Sequence, residues 1–459
     1  MNVLFLMADE MAGWALDAGV HTPHLDAVAA RGTVFDAAYT PSPICVPARA
    51  AIACGQCLHA LGGYWSSSEA YDGRVRSWAH AVRAMGVPVT SIGKLHFRSG
   101  EDDTGFSEQI LPMHIAGKGW VRGLLRQPLA GYDATRELAE DIGTGWTDYT
   151  RYDAQVTEAA CDWIAQQAAG APWCAFVSWV SPHYPLRAPE QDIARYDPSA
   201  CAAPAEAVPD HPILRELAGF FDHDPWFTPE TRGIARAAYR GLCTFLDRQV
   251  GAVLGALDAA GLVDETLVIF TADHGEMLGE KGFWGKSTMY EASARVPLIL
   301  AGPGVAPGRR VDPVSLIDIA PTIAQSFGAS VRPYGGRPLF EAPLGSRTVL
   351  SEYHDGGASV GITMVRWNDG AARWKYMHYA QGHPPQLFEL GADPSEHEDL
   401  AAHRPDVVAE ARRRLARWMD PEVIDARAHA DQARRVAELG GREALLAEAQ
   451  WNFTPTGQG

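Results

Sequence analysis

Positive charge is scarce in this chain of 459 residues. It has 39 lysine and arginine residues against 56 aspartate and glutamate residues, a formal net charge of -17 at pH 7. No nucleic acid and no anionic membrane is therefore expected as a partner, since both attract basic surfaces. If the substrate is an anion, local positive side chains must bind it against the overall field.

Long apolar runs and cysteines are also few. No uninterrupted apolar stretch approaches the length that crosses a bilayer. The first residues, MNVLFLMADE, lack the basic start of a secretory signal and reach an acidic pair after one short apolar run. The seven cysteines are scattered and odd in number, which favours a reducing compartment over a disulfide framework. The sequence thus predicts a cytoplasmic protein.

One CxxC pair occurs, at Cys54 and Cys57. A zinc site would need two more ligands at compact spacing, and none is obvious nearby in the sequence. We interpret the other six cysteines as small apolar residues of the kind found in a buried helix. They are Cys54, Cys57, Cys161, Cys174, Cys201 and Cys243.

Short apolar runs alternate with helical patterns over most of the chain and indicate strands buried on both faces. Amphipathic segments such as RYDAQVTEAACDWIAQQA lie between them. The apolar stripe of this segment contains Val156, Ala160, Trp163 and Ile164. This alternation predicts an α/β fold with a large, mostly parallel sheet flanked by helices. The runs are NVLFLMA, VPVTSIG, WCAFVSWV, TLVIFTA and VPLILAG.

The pattern changes near residue 340. RTVLSEYH, MVRWN, RWKYMHY and QLFEL have the pattern of short antiparallel strands, and RPDVVAEARRRLARWM that of a closing helix. We therefore expect a catalytic α/β domain over 1–340 and a smaller C-terminal α+β subdomain over 341–459. The final charged, alanine-rich stretch is interpreted as a helix on a partner subunit, so we expect a homo-oligomer.

Polar residues follow the predicted strands at the points where the strands end. Ligands of open α/β sheets bind beyond the carboxyl ends of the strands, so these residues are expected to converge. Cys45 opens a predicted helix in the same half of the chain, between prolines, with Arg49 one turn further on. The residues after the strands are Asp9 with Glu10, Lys94 with His96, His183, and Asp273 with His274.

Two kinds of chemistry are present in this set. Asp9, Asp273 and His274, with Glu10 as a further candidate, offer oxygen and imidazole ligands for Ca²⁺, Mg²⁺ or Mn²⁺. The remaining side chains offer positive charge or hydrogen-bond donors around an anion. A divalent metal with a ring of donors suits transfer of a sulfuryl or phosphoryl group. The donors are Arg49, Lys94, His96, His183 and Lys286.

The segment CVPAR at Cys45 matches the C-x-P-x-R signature of the type I sulfatases, a branch of the alkaline-phosphatase superfamily. The resemblance extends through most of the chain, in the same order. The matching segments are MADE, TPHLDAVAARGTVFDAAY, GKLHF, SPHYP, TADHGEMLGEKGFWGK, ARVPLILAGPG and LFELGADPSEHEDL.

In that family the signature cysteine is oxidised to formylglycine, and the hydrated aldehyde is the nucleophile. The resemblance implies that a formylglycine-generating enzyme modifies Cys45 and that one divalent cation, Ca²⁺ first with Mn²⁺ or Mg²⁺ as alternatives, binds nearby. It assigns Asp9, modified Cys45, Asp273 and His274 to the metal, Arg49 to holding the formylglycine, and Lys94 and Lys286 to the sulfate oxygens. His96 would help the hydrated aldehyde to release sulfate, and His183 would donate a proton to the leaving oxygen.

Two positions depart from the arylsulfatase pattern, which has Asp where this chain has Glu10 and Asn where it has His274. The histidine resembles the choline-sulfatase and phosphonate-monoester-hydrolase branch, in which the first of these positions is often not a ligand. Glu10 is therefore left open as a metal ligand. Ala48 stands where serine is common, which is expected at most to slow the modification of Cys45.

Three functions are compared on these residues. The first is hydrolysis of a sulfate monoester, and the second is hydrolysis of a phosphonate monoester or phosphodiester by the same site, because both substrates present a singly charged tetrahedral group. The third, an inactive binding protein, is disfavoured because the catalytic set is intact. The segments GGYWSSSEAYDG, GKGWVRG and DHDPWFTPE could form an aromatic pocket for the alcohol, such as a quaternary ammonium cage, or could simply pack the irregular regions 98–150 and 185–235.

Overall fold

The architecture is taken from a computed structural model of the chain. The structure describes residues 1–17, 19–132, 134–167, 169–331, 335–341, 347–448 and 454–456.

The secondary-structure elements alternate between strands and helices over the first two thirds of the chain. The strands are β1 (Asn2–Asp9), β2 (Thr33–Phe35), β3 (Ala38–Tyr39), β4 (Val89–Lys94), β5 (Glu108–Met113), β6 (Ile142–Thr144), β7 (Cys174–Pro182), β8 (Leu186–Ala188), β9 (Thr266–Ala272), β10 (Arg295–Val296), β11 (Leu298–Ala301), β12 (Gly308–Arg310), β13 (Val314–Ser315), β14 (Thr348–Tyr353), β15 (Ile362–Asp369), β16 (Ala372–Tyr379) and β17 (Gln386–Glu389). The α-helices are α1 (Pro23–Ala30), α2 (Cys45–Cys54), α3 (Leu58–Leu61), α4 (Trp78–Ala84), α5 (Glu137–Glu140), α6 (Asp148–Ala165), α7 (Glu190–Ile193), α8 (Pro198–Cys201), α9 (Pro212–Phe221), α10 (Pro229–Ala259), α11 (Glu291–Ala294), α12 (Ile319–Ser326), α13 (Pro405–Ala416), α14 (Pro421–Glu438) and α15 (Arg442–Ala447).

The central sheet has the strand order β12-β2-β11-β9-β1-β7-β4-β5. Strands β9, β1, β7, β4 and β5 run parallel to one another, and every residue of β1, β7 and β9 is buried. The predicted mostly parallel α/β sheet is therefore confirmed. The run VPLILAG differs from the other four, because its strand β11 pairs antiparallel with β9 and with β2.

The C-terminal part contains the antiparallel sheet β14-β15-β16-β17, and helix α13 follows it. These elements coincide with the segments that the sequence assigned to short strands and a closing helix. The fold class with a small C-terminal α+β part is thus confirmed, while the division at residue 340 stays a prediction.

The helices after α13 pack on their own chain. Leu445 of α15 is fully buried in a cluster with Val121, Leu124 and Leu125, and Arg126 forms an ion pair with Asp425 of α14 at 3.6 Å. The interpretation of this stretch as a helix on a partner subunit stays a prediction, and residues 449–453 and 457–459 lie outside the described residues. None of the helices described here combines the length and the apolar character that a bilayer crossing requires.

Candidate active site

The carboxyl ends of four neighbouring strands supply the polar residues of one site. Asp9 is the last residue of β1 and Lys94 the last of β4, while His183 directly follows β7 and Asp273 directly follows β9. Because these strands lie side by side and run parallel, their ends meet at one edge of the sheet. The convergence expected from the sequence is present.

Cys45 is the first residue of α2 and lies at the centre of this edge. The preceding Ile44 is extended, and Pro47 falls in the first turn. The Cys45 Sγ atom lies 3.0 Å from His274 Nε2, 3.5 Å from Asp9 Oδ1 and 3.3 Å from Lys286 Nζ. A nucleophile made at this position would stand at a helix N-terminus, which favours negative charge.

The groups expected to bind a metal form one cluster. One ligand atom from each of Asp9, Cys45, Asp273 and His274 lies within 4.8 Å of the others, and all four residues are buried. His274 Nδ1 is 3.0 Å from the carbonyl oxygen of Gly275, so that nitrogen can donate to it and leave Nε2 available for a metal. This donor set fits a divalent cation that accepts carboxylate oxygens.

Neighbouring positive charges stabilise the ionised form of Asp9. Its carboxylate contacts the Lys94 ammonium and lies 3.9 Å from the Arg49 guanidinium. Burial opposes ionisation of Asp9, but the positive charge of Lys94 and other nearby cations holds its pKa well below the ordinary value. Asp9 is therefore an ionised carboxylate at neutral pH, as metal binding requires.

Glu10 has a different environment from Asp9, although the two residues are adjacent. Its Oε2 atom lies 3.1 Å from Lys286 Nζ and 3.3 Å from His183 Nε2. Burial raises the pKa of Glu10 to about 8, and the nearby Glu276 carboxylate adds to the rise. The structure groups Glu10 with Asp9 and His183, and not with the cluster of Cys45, Asp273 and His274.

Arg49 forms hydrogen bonds with the strand ends that surround the site. Its Nε atom donates to Asp273 Oδ2 at 2.7 Å, and its Nη1 atom donates to the Lys94 carbonyl oxygen at 2.9 Å and to Ser178 Oγ at 3.0 Å. The guanidinium thus connects α2 with the ends of β9, β4 and β7. The resemblance to the sulfatases assigns Arg49 to the formylglycine, and that contact stays a prediction.

The two histidines of the site belong to different strand ends beside Cys45. His183 Nδ1 is 2.7 Å from the Tyr184 carbonyl oxygen, which leaves Nε2 facing Glu10. His96 Nε2 is 3.0 Å from Thr454 Oγ1. Burial lowers the pKa of both imidazoles well below the ordinary value, so both are neutral at pH 7.

A cavity of about 160 Å³ opens from Cys45, and much of its wall is aromatic. Lys94, His96, His183 and Lys286 also line it, beside Cys45. The aromatic side chains that line it are Trp120, Tyr132, Tyr149, Tyr184, Phe221 and Trp284.

The aromatic segments singled out in the sequence supply only part of this wall. Trp120 lines the cavity, whereas Trp65 is fully buried in the core beside the C-terminal sheet and Trp226 is 41% exposed outside the cavity. Tyr184 lies in the SPHYP segment and could have been found beside His183. Tyr132 and Tyr149 come from the irregular region and the start of α6, where no pattern in the sequence marks them.

The comparisons with known proteins agree with this geometry. The family model described as Sulfatase matches residues 1–329. The chain belongs to the sulfatase family. It is a sulfuric ester hydrolase, and its fold and relatives place it in the alkaline phosphatase superfamily, with choline-sulfatase and phosphonate monoester hydrolases among its neighbours.

Two relatives and one solved structure show how far the sulfatase likeness extends. Choline-sulfatase of Rhizobium meliloti (strain 1021) is 32% identical over 468 residues, which cover 95% of this chain and 90% of the relative. Arylsulfatase K of Danio rerio is 30% identical over 475 residues, covering 93% of this chain and 85% of the relative. The crystal structure of the phosphonate monoester hydrolase of Agrobacterium radiobacter has a TM-score of 0.71 at 24% identity, covering 90% of this chain and 95% of that one, and shows the same fold.

Proposed function

We propose that this sulfatase hydrolyses a sulfate monoester of a small alcohol, using a formylglycine made from Cys45 and one divalent cation, Ca²⁺. The observation that carries the proposal is the position of Cys45. Its Sγ atom lies at a helix start, between the donor set of Asp9, Asp273 and His274 and the Lys286 ammonium, and it faces the cavity.

The surroundings of Cys45 argue against an unmodified cysteine as the nucleophile. Burial raises the pKa of Cys45 to about 12, and the negative charge of Asp9 adds to the rise. A thiolate is therefore disfavoured by the groups of the protein itself, and only a bound cation would offset this. An aldehyde hydrate avoids the problem, because its hydroxyl groups are oxygen nucleophiles and oxygen suits a hard cation.

Formation of formylglycine requires a separate enzyme. The conversion replaces the CH₂–SH group with an aldehyde: oxygen enters, sulfur leaves as sulfide, and two electrons pass to an oxidant supplied with the formylglycine-generating enzyme.

All seven cysteines of the chain are unpaired, which is consistent with synthesis in a reducing compartment. We retain the cytoplasm as the proposed location and a homo-oligomer as the proposed state.

The residues around position 45 have separable roles in the proposed reaction. Modified Cys45 would supply the hydroxyl that attacks sulfur, and a cation held by Asp9, Asp273 and His274 would favour the ionised form of that hydroxyl. His96, which lines the cavity, would take the proton of the second hydroxyl as sulfate leaves and the aldehyde forms again. Lys94 and Lys286 line the cavity beside Cys45, where their charges bind the sulfate oxygens. Arg49 holds Asp273 and the end of β4 in place.

Proton transfer to the alcohol is assigned to His183. When the bond from sulfur to the alcohol oxygen breaks, that oxygen must gain a proton unless it is already a good leaving group. His183 lines the cavity, and its Nε2 atom lies 3.3 Å from Glu10 Oε2. This contact lets the Glu10 carboxyl group orient the imidazole of His183 towards the cavity. In this proposal Glu10 positions His183 and is not a metal ligand.

The alcohol part is proposed to be apolar or to carry a quaternary ammonium group. Aromatic faces bind both kinds of group, and no acidic side chain among the described residues lines the cavity. The relative named choline-sulfatase supports the second kind. Phosphonate monoesters and phosphodiesters stay as the alternative substrates, because they would present the same singly charged group to Lys94 and Lys286.

A substrate panel on the metal-replete, modified protein tests the proposal. We expect the highest kcat/KM with choline sulfate or 4-nitrophenyl sulfate, and a value lower by at least about tenfold with a phenyl phosphonate or a bis-aryl phosphate, a difference of roughly 1.4 kcal/mol in transition-state stabilisation. Higher kcat/KM for the phosphorus esters would establish the alternative. Cys45→Ala serves as the inactive control.

The aromatic wall is tested with a pair of tryptophan variants. Trp120→Ala should raise KM for choline sulfate by roughly 3- to 30-fold, the range of one cation–π contact, with a smaller change in kcat. Trp226→Ala is the matched control, because Trp226 lies outside the cavity, and it should leave KM unchanged. An unchanged KM in both variants would show that the alcohol does not bind against Trp120.

A further inference from the structure

A second cluster of metal-ligating side chains lies outside the active site, where α2 and α3 meet the C-terminal sheet. One ligand atom from each of Cys57, His59 and Glu352 lies within 4.8 Å of the others. Cys57 and His59 flank the start of α3, and Glu352 belongs to β14. All three are buried, with exposed fractions of 2%, 6% and 1%.

Hydrogen bonding within the chain accounts for only part of this cluster. Glu352 Oε1 accepts from the His59 backbone N–H at 3.3 Å and lies 2.8 Å from His59 Nδ1. Within the described part of the chain, Glu352 Oε2 has no hydrogen-bond partner, and neither has either ring nitrogen of His354. Such groups are costly to bury without hydrogen bonds, so a carboxylate oxygen and an imidazole that face each other only as an ion pair at 3.7 Å leave a place for a further partner.

His354 stands beside the cluster. It lies two residues after Glu352, is 2% exposed, and places Nε2 3.7 Å from Glu352 Oε2, which is beyond hydrogen-bond distance. The ring of Trp65 packs against His354 at 5.1 Å between ring centroids.

We propose that Cys57, His59 and Glu352, with His354 as fourth ligand, form a second metal site that takes Zn²⁺. The Cys57 thiolate makes this set suit Zn²⁺ and not Ca²⁺, which does not take thiolate ligands. The site therefore differs in metal from the one proposed at Cys45. No zinc site was expected from the sequence, where Cys57 pairs with Cys54 in CxxC, but Cys54 Sγ faces the Val75 carbonyl oxygen at 3.9 Å and is not part of the cluster.

Binding of the metal requires small and specific changes. The Cys57 thiol releases its proton to solvent, and His59 binds as neutral imidazole. The hydrogen bond between His59 and Glu352 opens from 2.8 Å to roughly 3.3 Å, the separation of two ligands at about 2.0 Å from a tetrahedral ion. Because the residues are buried, Zn²⁺ enters during folding and not into the finished protein.

The position of the site indicates a structural role. It connects β14 to the start of α3, which follows α2, the helix that begins at Cys45. Zinc would strengthen a link that the hydrogen bonds between His59 and Glu352 already make between α3 and the C-terminal sheet.

Metal analysis of full-length variants expressed with added zinc tests the site without any activity assay. A Cys45→Ala/Asp273→Ala background removes two of the metal ligands proposed for the active site. In that background we expect about one zinc per chain after desalting, loss of that zinc in Cys57→Ser, and no change in the matched control Cys54→Ser. A background protein without zinc, or zinc that survives Cys57→Ser, would overturn the proposal.

Two further measurements keep the test decisive if Cys57→Ser does not fold. Cobalt-substituted background protein should show a thiolate-to-cobalt charge-transfer band in the near ultraviolet, and its absence would exclude Cys57 as a ligand. Glu352→Gln keeps the shape and an acceptor at this position but removes the charge. It should lower zinc retention against a competing chelator by about tenfold or more, and unchanged retention would exclude Glu352.

Discussion

Asp273 shows at the scale of one residue how the site is held together. Its Oδ1 atom accepts from the backbone N–H groups of Glu10 at 3.2 Å and of His274 at 3.0 Å, and its Oδ2 atom accepts from Arg49 at 2.7 Å. One buried carboxylate therefore joins the ends of β1 and β9 to α2. It also belongs to the cluster proposed to bind the metal. The same carboxylate therefore holds the strand ends in position and supplies negative charge to the metal site.

The role of His183 leads to a prediction on leaving groups. His183→Ala should lower kcat/KM for choline sulfate, whose alcohol leaves poorly without a proton, by roughly 10²- to 10⁴-fold. For 4-nitrophenyl sulfate the loss should be small, because 4-nitrophenolate leaves without a proton. Steady-state kinetics with both esters provide the measurement.

His223→Ala is the control for this prediction. His223 also lines the cavity but its Nδ1 atom lies 2.9 Å from the Thr135 carbonyl oxygen, in the irregular region before α5. It should affect both esters to the same extent. Equal losses for the two esters in His183→Ala would contradict the assignment of the proton donor.

At the scale of secondary-structure elements, the sequence predicted which site residues meet at the ends of the strands, but not which residues the loops bring to the site. Asp9, Lys94, His183 and Asp273 could be expected to meet, because each follows an apolar run and the ends of parallel strands share one edge. The aromatic wall could be expected only in part, because Trp120 lies in the segment GKGWVRG that the sequence singled out, whereas no pattern marks Tyr132.

Sequence distance explains why the spacing of residues in the sequence did not indicate the zinc site proposed at Cys57. Its partner Glu352 is 293 residues from His59 and belongs to an antiparallel strand, whose pairing alone gives no position relative to α3. A metal site built from one local pair and one distant strand has no compact spacing in the sequence, so local spacing does not reveal it.

The contact between β4 and β7 gives a prediction at this scale. Gly93 has φ +97°, and a Cβ atom there would lie 2.2 Å from the Ser178 carbonyl oxygen in β7. Gly93→Ala should therefore separate the two strands and displace Lys94. We expect it to lower the free energy of unfolding by more than about 2 kcal/mol and to reduce activity in the protein that remains folded.

Gly86→Ala separates this clash from the cost of the backbone conformation. Gly86 also has a positive φ, +79°, but no atom lies within 4 Å of the place that a Cβ atom would take. It should lose only about 1–2 kcal/mol, the cost of a left-handed residue, and keep its activity. If urea unfolding shows the same loss of free energy of unfolding in both variants, the close contact between β4 and β7 does not add to the cost of Gly93→Ala.

At the scale of the whole molecule, buried charges join the C-terminal helices to the catalytic part. The Arg126 guanidinium, 1% exposed, donates to the Ala358 carbonyl oxygen at 2.9 Å and to Gln432 Oε1 at 3.2 Å, and it lies 3.6 Å from Asp425. Burial opposes ionisation of Asp425, but hydrogen bonds from His429 and Gln381 and the charge of Arg126 hold its pKa well below the ordinary value.

Arg126→Ala should lower the free energy of unfolding by roughly 3–5 kcal/mol at pH 7, because it leaves Asp425 buried without its counter-charge. A carboxyl group with a lowered folded pKa stabilises the protein above its unfolded pKa, and this stabilisation decreases as the pH falls towards the folded pKa. The difference in the free energy of unfolding between the unchanged protein and Arg126→Ala should therefore become smaller below about pH 4. Urea unfolding of both proteins at pH 7 and below about pH 4 measures this difference.

Arg136→Ala is the control for the whole-molecule prediction. Arg136 pairs with Glu140 at 3.1 Å, but the two side chains are 61% and 60% exposed. Its loss should cost less than about 1 kcal/mol. A similarly small cost for Arg126→Ala would show that the C-terminal helices are not held by this ion pair.

The chemistry of residue 45 is central to the proposed function, and mass spectrometry of the peptide that spans it tests this chemistry directly. Preparations made with and without a formylglycine-generating enzyme would be compared for aldehyde content at position 45 and for turnover of 4-nitrophenyl sulfate. We predict that active protein carries an aldehyde in place of the Cys45 thiol, that activity rises in proportion to the modified fraction, and that Cys45→Ala is inactive. Protein with an intact Cys45 thiol that hydrolyses the ester as fast as modified protein would contradict the formylglycine mechanism.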